Sequence, residues 1–158
     1  MEYEYSIKVK NIDEYLDYCK KNNYKKEKEI KQTRTVYKKT KHKIARITIE
    51  EAKTTTKVLD FKEDRYSKDT LNIRKESKPL PIIDEKIAEE VLNFLGYKKK
   101  VTLIRKRIVF KKNQVKFEID EYFEPEKAFV VAIEGEQKEV DQVYKELDYL
   151  NKKYKLDD

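Results

Sequence analysis

The residues best placed to do chemistry open the chain. Glu2 and Glu4, in Met-Glu-Tyr-Glu-Tyr-Ser-Ile-Lys-Val-Lys, alternate with Tyr3, Tyr5, Ile7 and Val9. Successive side chains of a strand point to opposite faces, so both carboxylates share a face with Ser6 and Lys8, and the apolar residues take the other. Later segments repeat the arrangement. Arg46 lies opposite Ile47 and Ile49, Lys62 is out of phase with Leu59 and Phe61, and Arg74 and Glu76 stand against Ile73. Arg105 and Arg107 share a face; Glu118 and Asp120 oppose Phe117 and Ile119; Glu134 and Glu136 oppose Ile133. Carboxylate oxygens are hard ligands suited to Mg²⁺ or Mn²⁺, and Arg and Lys neutralise phosphoryl oxygens, so the two sets together match a metal-bound triphosphate. One solvated face of an antiparallel sheet accounts for the same alternation.

Positioning these residues requires strands with apolar backs, and the pattern supplies them. Strands are expected around residues 1–10, 31–38, 43–50, 56–62, 71–78, 101–111, 114–121 and 128–136. Ile12, Tyr15, Leu16 and Cys19 recur at helical spacing after Asn11, placed as a cap. Pro79 and Pro81 interrupt the strands. A second helix has Asp84 as its cap, Ile87, Val91, Leu92 and Leu95 as its stripe and Gly96 as its stop. The tail carries Val140, Val143, Tyr144, Leu147 and Leu150 as a helix over about 137–154. With 158 residues, one domain covering the whole chain is the economical expectation.

Composition narrows the classes. The net charge of +7 comes from 38 Lys and Arg against 31 Asp and Glu, a modest excess that favours polyanions without choosing among them. Only two glycines occur, Gly96 and Gly135, which excludes a glycine-rich phosphate loop and the dinucleotide fingerprint; any phosphate must be held by side chains. Cys19 is the single cysteine, so an intramolecular disulfide and multi-cysteine metal sites are excluded. With no apolar leader and no run long enough to span a bilayer, a reducing, cytoplasmic setting without membrane association is expected. Cys19 reads as core, His42 as a loop residue, and the lysine clusters at 25–26, 38–39 and 98–100 as solvated turns.

The halves repeat. Tyr24-Lys25-Lys26 answers Tyr97-Lys98-Lys99, and Arg34-Thr35-Val36-Tyr37 answers Arg107-Ile108-Val109-Phe110, both at an offset of 73 (97 − 24 and 107 − 34). A duplicated helix–strand–strand unit follows, an easy route to an antiparallel barrel.

Taken in order, these segments resemble the CYTH superfamily of triphosphate tunnel enzymes, which includes class IV adenylyl cyclases, thiamine triphosphatases and inorganic triphosphatases. Glu2-Tyr3-Glu4-Tyr5-Ser6 is similar to its ExExK strand, with Ser6 for the lysine. Ala45-Arg46-Ile47-Thr48 resembles its arginine strand, with Thr48 for a second arginine. Asp60-Phe61-Lys62 and Arg74-Lys75-Glu76 match at the lysine and at the Arg-x-Glu. Arg105-Lys106-Arg107, Glu118-Ile119-Asp120 and Val131-Ala132-Ile133-Glu134-Gly135 follow, with Ala132 for the first glutamate of the closing motif.

The resemblance implies an α+β fold: an eight-stranded antiparallel β-barrel, or tunnel, with flanking helices. It implies Glu2, Glu4, Asp120 and Glu134 on the metal side, Mg²⁺ or Mn²⁺ as the metal, and Arg46, Lys62, Arg74, Arg105 and Arg107 on the phosphate side. Glu118 and Glu76 join the acidic set by parity, and Lys8, two residues from Ser6 on the same face, joins the basic set. Glu4, Lys62 and Arg107 are the residues on which turnover is expected to depend most. The expected function is a metal-dependent phosphohydrolase acting on tripolyphosphate, a nucleoside triphosphate or thiamine triphosphate, as a monomer or homodimer. An adenylyl cyclase, and a degenerate module binding triphosphate or RNA 5′ ends, are the alternatives. Nucleic acid in general is not favoured.

Overall fold

The structure, a computed structural model, describes residues 3–66 and 72–157, and of residues 64–66 and 72–74 the backbone alone. In chain order the elements are β1 (Tyr3–Val9), α1 (Asp13–Lys21), β2 (Lys25–Thr40), β3 (Lys43–Glu51), β4 (Thr55–Tyr66), β5 (Asn72–Glu76), β6 (Leu80–Pro81), α2 (Glu85–Phe94), β7 (Lys98–Lys112), β8 (Val115–Glu124), β9 (Ala128–Gly135), α3 (Gln137–Glu146) and α4 (Asp148–Tyr154). This is the expected α+β antiparallel fold. Eight strands follow one another in the order β1-β9-β8-β7-β2-β3-β4-β5, and the two-residue β6 adds to β4. Among the described residues β1 and β5 end that order, and no ladder closes it.

Several elements differ from expectation: the lysine clusters at 25–26, 38–39 and 98–100 lie in β2 and β7 and not in turns, and Pro81, expected to interrupt the strands, pairs with β4 in β6. The strand placed at 31–38 begins at Lys25, because Lys25–Glu29 has no apolar alternation to betray it. Glu29 bonds Lys26 and Lys106 there, so the segment is stapled by charge. The C-terminal helix breaks at Leu147, which caps α3 and starts α4.

The chain divides into two compact units, one of residues Met1–Lys31 and Arg105–Asp158, the other of Gln32–Ile104. In the first, the apolar faces of β1, β8 and β9 meet Tyr15, Tyr18 and Cys19 of α1 and Val140, Val143, Leu147 and Leu150 of the C-terminal helices. Two of its buried tyrosines have hydroxyl partners: Tyr15 donates to Asn151 at 2.9 Å and Tyr18 to Glu146 at 2.6 Å. In the second, Ala88 and Leu92 of α2 pack on Tyr37, Ala45, Ile47 and Leu59. Here the expected stripe is buried only at Leu92, for Ile87, Val91 and Leu95 are exposed and Ala88 takes the buried place beside Leu92.

The repeat is visible in atomic detail. Asn23 (φ 62°) and Gly96 (φ 93°) occupy the same place after their helices, where a left-handed residue ends the helix. Tyr24 N–H donates to Cys19 O and Tyr97 N–H to Leu92 O, each at 2.9 Å. Lys112 then lies over the Tyr24 ring at 5.6 Å and Lys39 over the Tyr97 ring at 5.8 Å. The partners are crossed: each unit combines the helix of one repeat with the strand hairpin of the other.

Two outcomes test this packing. Burial pushes the Cys19 thiol up to about 12, so at about pH 8 it is both protonated and enclosed. Iodoacetamide is expected to spare the native protein and to alkylate it in urea; equal rates would mean the core is open. A Cβ at Gly135 (φ 153°) would sit 2.6 Å from the Gln114 carbonyl oxygen. Gly135→Ala is therefore expected to cost about 1–3 kcal/mol in a urea melt.

Candidate functional site

In the first unit, antiparallel register converts the alternation into rows. Glu4 pairs with Glu134 and Glu134 with Lys116; Ser6 pairs with Ala132 and Ala132 with Glu118; Lys8 pairs with Val130 and Val130 with Asp120. Directly opposed residues share a face, so Glu4, Lys8, Lys116, Glu118, Asp120 and Glu134 stand on one side of β1, β9 and β8. Their backs are Phe117, Ile119, Val131 and Ile133, all essentially inaccessible.

Arg105 and Arg107 of β7 reach this face. Arg107 is bidentate to Asp120, Nε to Oδ1 at 2.8 Å and Nη2 to Oδ2 at 2.9 Å, and its Nη1 lies 2.5 Å from Glu118 Oε2. Arg105 donates to the Tyr122 hydroxyl at 2.6 Å, stacks on that ring and lies 3.8 Å from Asp120. Asp120 is 2% exposed and Arg105 7%, so these charges have lost most of their water and depend on one another. Burial opposes the Arg107 charge, but the bonds to Asp120 and the field of Glu118 push its pKa further up than usual.

Glu118 and Glu134 behave as a pair. A hydrogen bond to Glu118, then burial, then the charges of Glu118 and Glu4, raise Glu134 to about 7. Burial alone would raise Glu118, yet the bond from Glu134 and the cations Arg107, Lys116 and Arg105 bring it below its ordinary value. Glu134 thus favours its protonated form beside Glu118, where a cation of higher charge could take the proton's place.

The second unit carries a similar cluster. Arg46 is bidentate to its cross-strand partner Asp60, at 2.9 and 2.6 Å, and the bond to Asp60 raises its pKa against burial. Arg34 Nε donates to Thr48 Oγ1 at 3.1 Å. Lys62 opposes Glu76 in the β4–β5 ladder, and both line a cavity of about 290 Å³.

Of the expected residues, Glu4, Lys8, Arg105, Arg107, Glu118, Asp120 and Glu134 share one face of the first unit, and Arg46, Lys62 and Glu76 one of the second. Arg74 lies on β5 opposite Asp64, with its side chain outside the description, and Glu2 lies outside the described residues. Tyr122, Lys116, Asp60 and Arg34 were not assigned roles from sequence. Arg34 had a signal, its repeat register with Arg107; Asp60 becomes visible only once register sets it across from Arg46. Among the described residues no three carboxylate, His or Cys groups lie close enough to hold a metal ion as they stand. The oxygen chemistry of the Glu118–Glu134 pair suits a hard divalent cation, with Glu4 the nearest further donor by register.

The raised pKa of Glu134 has a sign that can be checked with chelator present. A carboxyl raised in the fold contributes stability that is full below the unfolded value, near 4.5, and lost as pH rises through about 7. Relative to Glu134→Gln, the native protein is expected to lose stability across that window. A pH-independent difference between the two would contradict the raised Glu134 carboxyl.

No protein-family model and no curated protein matches the chain. Solved structures do. The PH1012 protein of Pyrococcus horikoshii is 18% identical with a TM-score of 0.67, over 96% of this chain and 88% of that one. HpAC1 of Hippeastrum, described as an adenylyl cyclase candidate with a dominant triphosphatase activity, is 15% identical with a TM-score of 0.62, over 99% and 91%. A chain of the Schizosaccharomyces pombe Mediator head module is 12% identical with a TM-score of 0.59, over 98% and 97%. The chain therefore shares the α+β antiparallel fold of these structures.

Proposed function

We propose that this chain binds a triphosphate with a divalent cation, Mg²⁺ or Mn²⁺, and hydrolyses it. The observation that carries this is Arg107, a largely buried guanidinium bonded to Asp120 and Glu118 on the face that also presents Glu4, Lys8, Lys116 and Glu134. A solvated sheet face has no need to bury Arg105 and Asp120. The activity described for the Hippeastrum protein supports the reading, whereas shared fold alone does not carry it.

The three departures from the family motifs each have a neighbour of the missing type. Lys8 follows Ser6 on its face, the Arg34 guanidinium bonds Thr48, and Glu118 stands directly across from Ala132. Charge is thus restored one strand or two residues away. Glu136, the other acid near Ala132, lies beyond the end of β9 at the cap of α3, so it is the poorer substitute.

In the proposed reaction a water oxygen attacks the terminal phosphorus and the bridging P–O bond breaks, leaving orthophosphate and the shortened polyphosphate. Arg105, Arg107 and Lys8 bind non-bridging oxygens and offset their charge. Asp120 holds Arg107 extended in advance, which removes ordering cost at binding. Glu4, Glu118, Glu134 and Asp120 are the residues that would hold the cation. That cation supplies charge neutralisation and orientation of the phosphoryl group.

Phosphate release from tripolyphosphate and ATP, beside cyclic AMP formation, tests the reading. Glu4→Ala, on an exposed position, is expected to lower kcat/KM by about 10²–10³, and Lys8→Ala on the same face by about tenfold. Turnover lost with chelator and restored by Mg²⁺ or Mn²⁺ completes the case. Cyclic AMP as main product would select the cyclase, triphosphate binding without turnover a degenerate module, and neither binding nor turnover would refute the site.

A further inference from the structure

The repeat leaves one helix edge bare. Glu14, Tyr18 and Asn22 run at four-residue intervals along α1 and its cap, and the offset of 73 carries them onto Ile87, Val91 and Leu95 of α2 and its cap (87 − 14, 91 − 18 and 95 − 22). On α1 this edge is covered by the C-terminal helices. Glu14 accepts from the Tyr154 hydroxyl and from Lys153, Tyr18 donates to Glu146 at 2.6 Å, and Asn22 shares with Glu136, Glu139 and Val143 the lining of a cavity of about 490 Å³. Among the described residues α3 and α4 have no second copy, and the α2 edge is open: Ile87 is 59% exposed, Val91 50% and Leu95 49%. Phe94, seven residues beyond Ile87 and 93% exposed, widens it. Single exposed apolar residues are ordinary, but four along the edge where the repeat seats a helix are not.

Charge at the end of the two edges differs in the same sense. Lys112 lies over the Tyr24 ring, and the cavity it lines holds Glu136, Glu139 and Glu146 against one further cation, Lys138. Lys39 takes the same place over Tyr97, but the hollow of about 380 Å³ that it lines, next to Leu95 at Gly96, has Lys38, Lys41, Lys98 and Lys100 around it and no carboxylate. Among the described residues these four have no ion-pair partner, although Lys99 between two of them is held by Glu89. Ammonium groups gathered around one hollow repel one another, and carboxylates brought from outside reverse that cost.

We propose that the α2 edge docks an acidic amphipathic helix of a partner protein, seated as α3 is seated on α1. The partner's apolar stripe covers Ile87, Val91, Phe94 and Leu95, because α2 offers methyl groups and a ring where α1 offers hydrogen bonds. Its carboxylates lie toward Lys38, Lys41, Lys98 and Lys100, in the role that Glu136 and Glu139 have beside Lys112. The repeat selects a helix, the apolar edge makes it amphipathic and the lysines set its sign. A nucleic acid would use the lysines and leave the apolar edge wet.

Three labelled peptides of about 18 residues test this, each with the same leucine stripe and a polar face of glutamate, glutamine or lysine. Fluorescence anisotropy, with protein up to about 100 µM and neither triphosphate nor divalent cation present, reads their binding. The glutamate peptide is expected to bind at least about tenfold more tightly than the glutamine peptide, and the lysine peptide more weakly than either. Ile87→Gln/Val91→Gln, which leaves charge unaltered, is expected to weaken the glutamate peptide at least about tenfold. Lys38→Gln/Lys98→Gln/Lys100→Gln is expected to abolish the preference for glutamate over glutamine, both variants being folded by circular dichroism. A glutamate peptide that does not bind, or that binds both variants as it binds the native protein, would overturn the proposal. So would single-stranded RNA that displaces the peptide and is indifferent to Ile87→Gln/Val91→Gln, which makes the lysines a nucleic-acid surface, or self-association that competes with the peptide, which gives the edge to a second copy. Triphosphate turnover enters none of these readouts, so this reading and that of the polar face fail separately.

Discussion

The constraint on which the first unit depends is that charge stripped of water must find charge. Arg105, Asp120 and Glu118 are buried on strands whose other face is Phe117, Ile119, Val131 and Ile133. Arg107 meets the constraint with one guanidinium fork on Asp120 and a further contact to Glu118. Removing one member would leave the others as isolated buried ions, a cost of about 3–5 kcal/mol. The polar face is therefore structural and chemical at once, and its side chains are fixed before any ligand arrives.

Strand polarity was readable because the side-chain period of two is strict. Glu118 and Asp120 against Phe117 and Ile119 could have been assigned to faces by parity alone, and the ladders keep them there. Helix ends were readable for a similar reason: Asp84 accepts from the Lys86 and Ile87 amides, and Gly96 takes the left-handed turn. Register across strands was not readable. That Asp60 faces Arg46, or that Glu118 stands across from Ala132, depends on hairpin lengths and pairing choices that no single segment encodes. The exposure of Ile87, Val91 and Leu95 was hidden too, since periodicity reports an apolar face without saying what covers it.

The departures from the family motifs show why residue identity at one position is a weak guide. A guanidinium reaches several ångströms from its backbone, so Arg34 can deliver at Thr48 what an arginine at that position would. The charge a cluster presents is a sum over neighbours, and a motif read one position at a time does not see it.

The crossed repeat carries a consequence for how such a chain could arise. Because α1 packs on the β7–β8 hairpin and α2 on Tyr37, Ala45 and Ile47, neither half of the sequence owns a complete core. A chain of half this length would have nothing of its own to fold around, but two copies trading hairpins would complete both cores together. Joining such copies end to end turns an encounter between molecules into an intramolecular one, after which each half can drift in its polar face without losing its mate.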